Sequence, residues 1–494
     1  MTEPESEALD WYQATRVGGE ARPRLTFDLD TDVCVIGGGL AGLTVAREIA
    51  RRGWSVAVLE ANRIAWAASG RNTGFVLPGF SADIDDTIER VGLDHAKQLW
   101  ALSVNGVDYV RRTIVQTGMT AVDPVDGWLD VSKTDNDDEI RNRIERMRWI
   151  GANVEMWETE RVRAALPSRH YFNAMHYPDA FHIHPLNYAL GLAQAAVEEG
   201  VRIFEDTAAV AIDPAGVRKR ITTQGGRVRA GHVVLAGNVH LGLLMPRLSS
   251  TLMPITTFVM VSKPIPNLGD VIRYRGAVTD GRRADNHYRI VGGDRLQWCG
   301  RMTVWSAAPH WFARGMLADI RRNFPELGKV EIAHLWSGTF GRSVHHMPQI
   351  GAIEPGVWVA SGFGWHGLNT TAMAGELIAR GIVENDETWR LFAPYELVWA
   401  GGFIGRAAVQ SVYWGLRPLD RIGQGLARYR HGARRRKAER LAARKSLVVP
   451  GPAPEGAAAD ARGPKPFGKR PRGTRGGRGR GKKTGDADQG LGKG

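Results

Sequence analysis

DVCVIGGGLAGLTVAREIARRGWSVAVLEA, residues 32–61, decides the architecture. Asp32–Ile36 is a short apolar run without alternation, the pattern of a strand buried on both faces. Leu40 to Arg52 carries apolar residues at helical spacing (Leu40, Leu43, Val45, Ile49), Gly53-Trp54 breaks it, and Ser55–Glu60 is a second strand. That is one βαβ unit in about 30 residues. Between the first strand and the helix, Gly37, Gly39 and Gly42 complete G-x-G-x-x-G. Gly37 makes the tight turn, and Gly39 lets the backbone approach a pyrophosphate on the positive helix end, where Leu40 and Ala41 begin the first turn. Gly42 permits close packing of helix on strand. Glu60, followed by Ala61, ends the second strand 18 residues beyond Gly42, near the ~20-residue spacing of a carboxylate that holds ribose hydroxyls. A nucleotide site is expected here; a purely structural βαβ unit is the competing reading.

Outward from this unit, Asp94–Thr117 and Asp135–Ile150 read as helices, and Pro185 opens another that runs to Gly200. VRIFED and His232–Ala236 are expected to join the first sheet, as is Gly356–Gly362, followed by a helix over Asn369–Val383. Leu252–Thr303 alternates and carries turn signals, which predicts an antiparallel sheet. The expected class is α/β: a Rossmann-like domain, a discontinuous α+β substrate domain with a mainly antiparallel sheet, and a disordered tail. The division is 1–30 as an N-terminal extension, 31–95, 155–245 and 335–390 as the nucleotide domain, 96–154 and 246–334 as the substrate domain, 391–425 as a C-terminal helical segment and 426–494 as the tail.

The 494 residues carry a net charge of +13. From Arg421 onward there are 21 Lys and Arg against 5 Asp and Glu, whereas the residues before it hold 44 and 47. The body is therefore nearly neutral and the excess sits in a Gly/Arg-rich end too poor in apolar residues to fold. Cys34 and Cys299 exclude a disulfide framework and a cysteine-based metal cluster, and no metal is expected. The acidic, polar start is no secretory signal, and no stretch reaches the ~18 apolar residues of a membrane span. A cytoplasmic address follows, with peripheral contact at the inner membrane face as the variant.

Spacing alone does not choose FAD over NAD. The next residues, AASGRNTG, resemble the GASGRN-G run of the D-amino acid oxidase/glycine oxidase (DAO) superfamily of FAD-dependent enzymes, and more narrowly its gamma-glutamylputrescine oxidase-like branch. The resemblance continues in HPLNYALGLAQAA leading into GVRIFEDTAA, in VVLAGN, and in SGFGWHGLNTTAMAGELIARGI from Ser361. It implies that Ser69, Arg71, Asn72 and Gly74 lie along the pyrophosphate and flavin, that the main chain at Ala209 touches adenine, and that Ala236 and Gly237 approach the cofactor. It also implies that Gly364, His366, Gly367, Leu368 and Asn369 line the pyrimidine end of the flavin. A helix beginning there suits the negative charge of reduced flavin. Trp365 stands where the family usually has a small residue, so a narrowed pocket mouth is expected, and His345-His346 depart from the usual acidic or small residues. No cysteine or histidine matches the attachment positions of sarcosine-oxidase relatives, so the FAD is expected to be non-covalent.

The family's reaction is oxidation of a C–N bond to an imine by hydride transfer to the flavin. Candidates for the substrate side are Tyr288 and Arg289 in HYRIVGGDRLQWCGR, Arg301 closing the same hairpin, and Arg342 in GTFGRSVHHMP. An Arg–carboxylate fork suits an amino-acid-like substrate; a structural ion pair is the competing role for each arginine. His366 is the candidate base, with cofactor positioning as its competing role. The acceptor, O2 or a quinone or other electron carrier, stays open. Two other readings remain: an FAD-dependent hydroxy-acid dehydrogenase, and a polyanion-binding protein whose residues 395–494 contact RNA or an anionic membrane.

Overall fold

Leu29–Ile36 lies at the middle of a sheet, as its unbroken apolar run requires: Val33, Cys34 and Val35 are fully buried. The computed structural model describes residues 10–281 and 286–415, with single residues between 425 and 440. The sheet runs Gln349–Glu354, Val357–Ser361, Arg227–Leu235, Leu29–Ile36, Val56–Leu59, Arg202–Phe204. All pairings are parallel except the first, which is an antiparallel edge. An antiparallel hairpin, Ala209–Asp213 with Lys219–Thr223, extends it from Arg227–Ala230. The helix Leu40–Ala50 covers this sheet and packs so closely on Gly367–Val383 that a Cβ at Gly375 would stand 2.4 Å from Thr44.

The second sheet runs Ile332–Arg342, Met253–Ser262, Arg295–Thr303, His287–Val291, Ala277–Thr279, Val125–Val131, Ala174–His182, Phe75–Val76. It is antiparallel except where Ala277–Thr279 lies parallel to Val125–Val131. Period-2 alternation gives it two unlike faces. Val259, Val261, Cys299 and Trp336 join the core that contains the first βαβ unit. Phe258, Met260, Tyr288, Leu296 and Trp298 point the other way, against Met316 and Ile320 of the helix His310–Asn323.

The helices Leu93–Gln116, Asp137–Trp149 and Pro185–Glu198 lie where the periodicity places them, the last with proline in its first turn. The expected domain limits do not follow the sheets. Glu155–Trp157, Ala174–His182 and Ile332–Arg342 fall largely in ranges expected for the nucleotide domain but hydrogen-bond in the second sheet. The N-terminal lead-in is also more than an extension: Tyr12, on the short helix Trp11–Ala14, is fully buried. The described residues up to Arg436 form one compact unit. The disordered tail expected over 426–494 lies, but for a few single residues, outside the described residues. Among the described residues no helix is long and apolar enough to cross a membrane.

Candidate functional site

The G-x-G-x-x-G turn is built from close approaches that only glycine allows. Gly37 has φ +115°, and a Cβ there would lie 2.8 Å from the Ala236 carbonyl. A Cβ at Gly42 would lie 2.0 Å from the Gly37 oxygen, and one at Gly39 would lie 2.8 Å from Ser69 Oγ. The helix beyond has Gly39 as its N-cap without a side-chain cap. The Leu40 N–H donates to Ser69 Oγ at 3.0 Å.

Glu60 is half-buried and accepts from the Gly38 N–H at 2.7 Å and the Asn62 N–H at 2.9 Å. Burial pushes its carboxyl pKa up, against the pull of these amides and that of Ala61. Beside it Glu205 receives the Ile64 N–H and Arg63, fixing the loop that follows the second strand.

AASGRNTG forms the short helix Ala68–Arg71 and a tight exit. Asn72 holds its own turn, donating to the Ala68 and Ser69 carbonyls while its Oδ1 accepts from Gly74 N–H. Gly74, at φ +81°, would put a Cβ 2.2 Å from the Ile183 carbonyl. Trp336 Nε1 donates to the Arg71 carbonyl and ties the run to the second sheet.

Leu40 and residues of the AASGRNTG run line a cavity of about 790 Å³, part of it open to solvent, whereas Gly37, Gly39, Gly42, Glu60 and Gly74 stand outside its lining. Its floor is Leu40, Ala68, Ser69, Arg71, Asn72 and Thr73. The second sheet contributes Thr257, Cys299, Gly338 and Phe340, and the segment at the start of the last helix contributes Phe363, Gly364, Trp365, Gly367 and Leu368. Phe75, Asn238 and Thr371 complete the wall. Among the described residues no carboxylate lines it.

The residues fit an FAD. Two helix N-termini, at Leu40 and Gly367, open onto one cavity. Asn238 Oδ1 is a buried acceptor without a hydrogen-bond partner on that wall. A Cβ at Gly367 would meet nothing within 4 Å. Ala209, at the start of its strand, and Ala236 and Gly237, against Gly37, stand on the same sheet as the turn.

Three sequence-based assignments need correction. Tyr288 lies on the far face, stacked on Trp298 at 4.6 Å with its hydroxyl on Tyr171, because it alternates with Arg289 along the strand. Arg301, at φ +68°, pairs with Asp319 at 2.6 Å and donates to the Gly315 carbonyl, so it is a structural ion pair. Asn369 is not among the cavity's lining residues; it is fully buried and its Nδ2 donates to the Gly79 and Ser103 carbonyls, while its Oδ1 has no hydrogen-bond partner among the described residues.

Arg289 is buried too, donating to the Ile183 carbonyl, His182 and the Tyr12 hydroxyl behind Gly74. The His366 ring packs against the Leu77–Gly79 backbone with Nδ1 unpartnered; burial pulls its pKa down to about 4. The same cause holds His287, 5.6 Å from Trp365, at about 4. Both imidazoles are neutral at pH 7.

Arg342 differs from the other arginines. It follows Phe340, bridges Phe363 through the backbone, and its Cγ is 4.0 Å from a Cβ built at Gly364. Its guanidinium has no hydrogen bond or ion pair among the described residues, and burial lowers its pKa. Trp365 lines the cavity, edge-on to Phe340 at 4.9 Å. His345 and His346 line a separate cleft with Arg90 and Tyr395.

Phe75, Asn238, Thr257, Cys299 and Phe340 had no site role in the sequence reading. Alternation marks Thr257 and Cys299 as sharing a face with Val259, but which face meets the cofactor depends on the pairing of distant strands. Burial pushes the Cys299 thiol up to about 12.

A family model described as FAD dependent oxidoreductase (DAO) matches residues 32–380. Gamma-glutamylputrescine oxidoreductase of Escherichia coli is 31% identical over 413 residues, spanning 81% of this chain and 95% of that protein. The probable oxidoreductase OrdL of Haemophilus influenzae is 30% identical over 383 residues, spanning 75% and 87%. Glycine oxidase from Geobacillus kaustophilus superposes with a TM-score of 0.65 at 21% identity, over 75% of this chain and 99% of that one, and shares the fold.

Proposed function

This chain belongs to the DAO family of FAD-dependent oxidoreductases, and from that premise we propose that it oxidises the C–N bond of an amine carrying a carboxylate, giving an imine. The observation that carries this reading is Arg342, a half-buried guanidinium with no hydrogen bond or ion pair among the described residues, at the end of the strand whose Gly338 and Phe340 line the cavity. Burying a charge without a partner is costly, and a substrate carboxylate would supply a charge-assisted, two-pronged partner.

Non-covalent FAD, held by the Gly37–Gly42 turn, Glu60 and the Ser69–Gly74 run, supplies hydride acceptance. The rest is done by the chain. Phe75, Phe340 and Trp365 flank the reacting carbon and exclude water. The helix N-terminus at Gly367 favours negative charge beside it. His366 and His287, neutral through the physiological range, shape the site without a charge change. Cys299 stays a protonated thiol at pH 7, which supports a cofactor held without a covalent bond.

Anaerobic bleaching of the flavin band tests the reading. The panel is gamma-glutamylputrescine, free polyamines, glycine, sarcosine and both enantiomers of common amino acids, with hydroxy acids as controls. Bleaching by a carboxylate-bearing amine is expected; bleaching by hydroxy acids alone would overturn it. Readmitting air then separates O2 from a quinone or carrier as acceptor.

A further inference from the structure

Residues 402–415 form a helix that follows the last cofactor helix. One side is fixed to the body: Gln410 accepts from the Val304 N–H at 3.0 Å, and the Tyr413 hydroxyl accepts from the Met302 N–H at 3.1 Å. The other side carries Phe403, Ile404, Val412 and Trp414, exposed by 74, 76, 61 and 63%. Between them lie Ala407, Ala408 and Ser411, also exposed. The helix has one charged residue, Arg406, and it is drawn to the boundary over the Trp305 ring. Trp399, 64% exposed, adjoins the helix start at Gly402 and widens the patch.

A solvated helix face is normally charged, and an exposed face this apolar marks an interaction surface. The sequence after it settles the kind: from Arg421 onward 21 Lys and Arg stand against 5 Asp and Glu. We propose that this face docks on an anionic lipid bilayer, with the helix lying in the headgroup boundary and the basic sequence beside it drawn to the anionic surface. Tryptophan suits that boundary, being apolar in body and polar at its N–H. A second copy of the chain is the poorer occupant, because both copies carry the same strongly basic sequence. RNA is poorer too, since the face between its aromatic rings is aliphatic, with Ile404, Ala407, Ala408 and Val412, and the helix holds a single cation, Arg406, to meet phosphate.

The test is co-sedimentation of the full chain with vesicles of phosphatidylglycerol and phosphatidylcholine, against vesicles of phosphatidylcholine alone. Binding to the anionic vesicles is expected. Phe403→Glu combined with Trp414→Glu should lower the partition coefficient at least about tenfold, leaving flavin content and melting temperature unchanged because both side chains are solvent-exposed. Undiminished vesicle binding by that variant would overturn the proposal. So would a dimer that the substitutions convert to monomer, or a chain that binds a single-stranded RNA oligonucleotide but no vesicle.

Discussion

Replacing Arg342 with methionine separates a substrate anchor from a structural cation. A structural guanidinium is held by partners, and removing it costs stability. Arg342 has none among the described residues, and its pKa is lowered by burial alone. Methionine keeps the unbranched stem and removes the charge, so the melting temperature should hold or rise. A hydrogen-bonded charge pair with a carboxylate contributes about 2–3 kcal/mol, so kcat/KM for a carboxylate-bearing amine should fall about 30- to 150-fold. Because the carboxylate is bound equally in ground and transition states, the loss should appear mainly in KM. The assay is steady-state flavin turnover with one carboxylate-bearing amine and its decarboxylated counterpart. The counterpart should lose less than about threefold, having no charge pair to forfeit. Equal losses for both compounds, or a melting temperature several degrees lower, would refute the assignment.

Gly42→Ala should yield protein that no longer retains FAD through gel filtration, because its Cβ would stand 2.0 Å from the Gly37 oxygen and force the phosphate turn open; a yellow preparation would contradict this. Tyr288→Phe should leave kcat/KM unchanged and cost about 1 kcal/mol of stability, read by denaturant melts, since it removes one buried hydroxyl contact with Tyr171. His184, His287, His346 and His366 are each depressed to about 4, so the folded state binds fewer protons than the unfolded chain between pH 4 and 6.5. Stability should therefore be fully present above about pH 6.5 and fall as pH drops toward 4, by up to about 1.4 kcal/mol per pH unit for each histidine. A melting temperature flat over that window would show these rings to be solvated. In the same groups kcat/KM should show no limb near pH 6.5, rising instead with deprotonation of the substrate ammonium.

The nucleotide half of the site was legible because its determinants are local: strand, Gly37–Gly42 turn, helix and Glu60 fall within 30 residues. The substrate half was not, because it is made by pairing. Tyr288 and Arg289 were both nominated although neighbours on a strand face opposite ways, and only the partner strand Arg295–Thr303 shows which side meets the cofactor. Arg301 lost its strand direction at a residue with positive φ. Asn369 begins a helix as its resemblance implies, but the docking of the helix Leu93–Gln116 turns its amide toward Ser103. Asn238 gave a weak signal in VVLAGN, one residue beyond the pair that was named.

Tyr12 joins the chain's opening segment to the cofactor floor. Its hydroxyl donates to Gln297 at 2.8 Å and accepts from Arg289, and Gln297 in turn donates to the Thr73 carbonyl on the cavity wall. Ordering of the first helix and FAD binding should therefore be linked, each favouring the other by the same factor. Proteolysis near Trp11 should slow as FAD is added. An affinity tag fused there that frays the turn would weaken cofactor retention from a position remote in sequence from every residue that touches it.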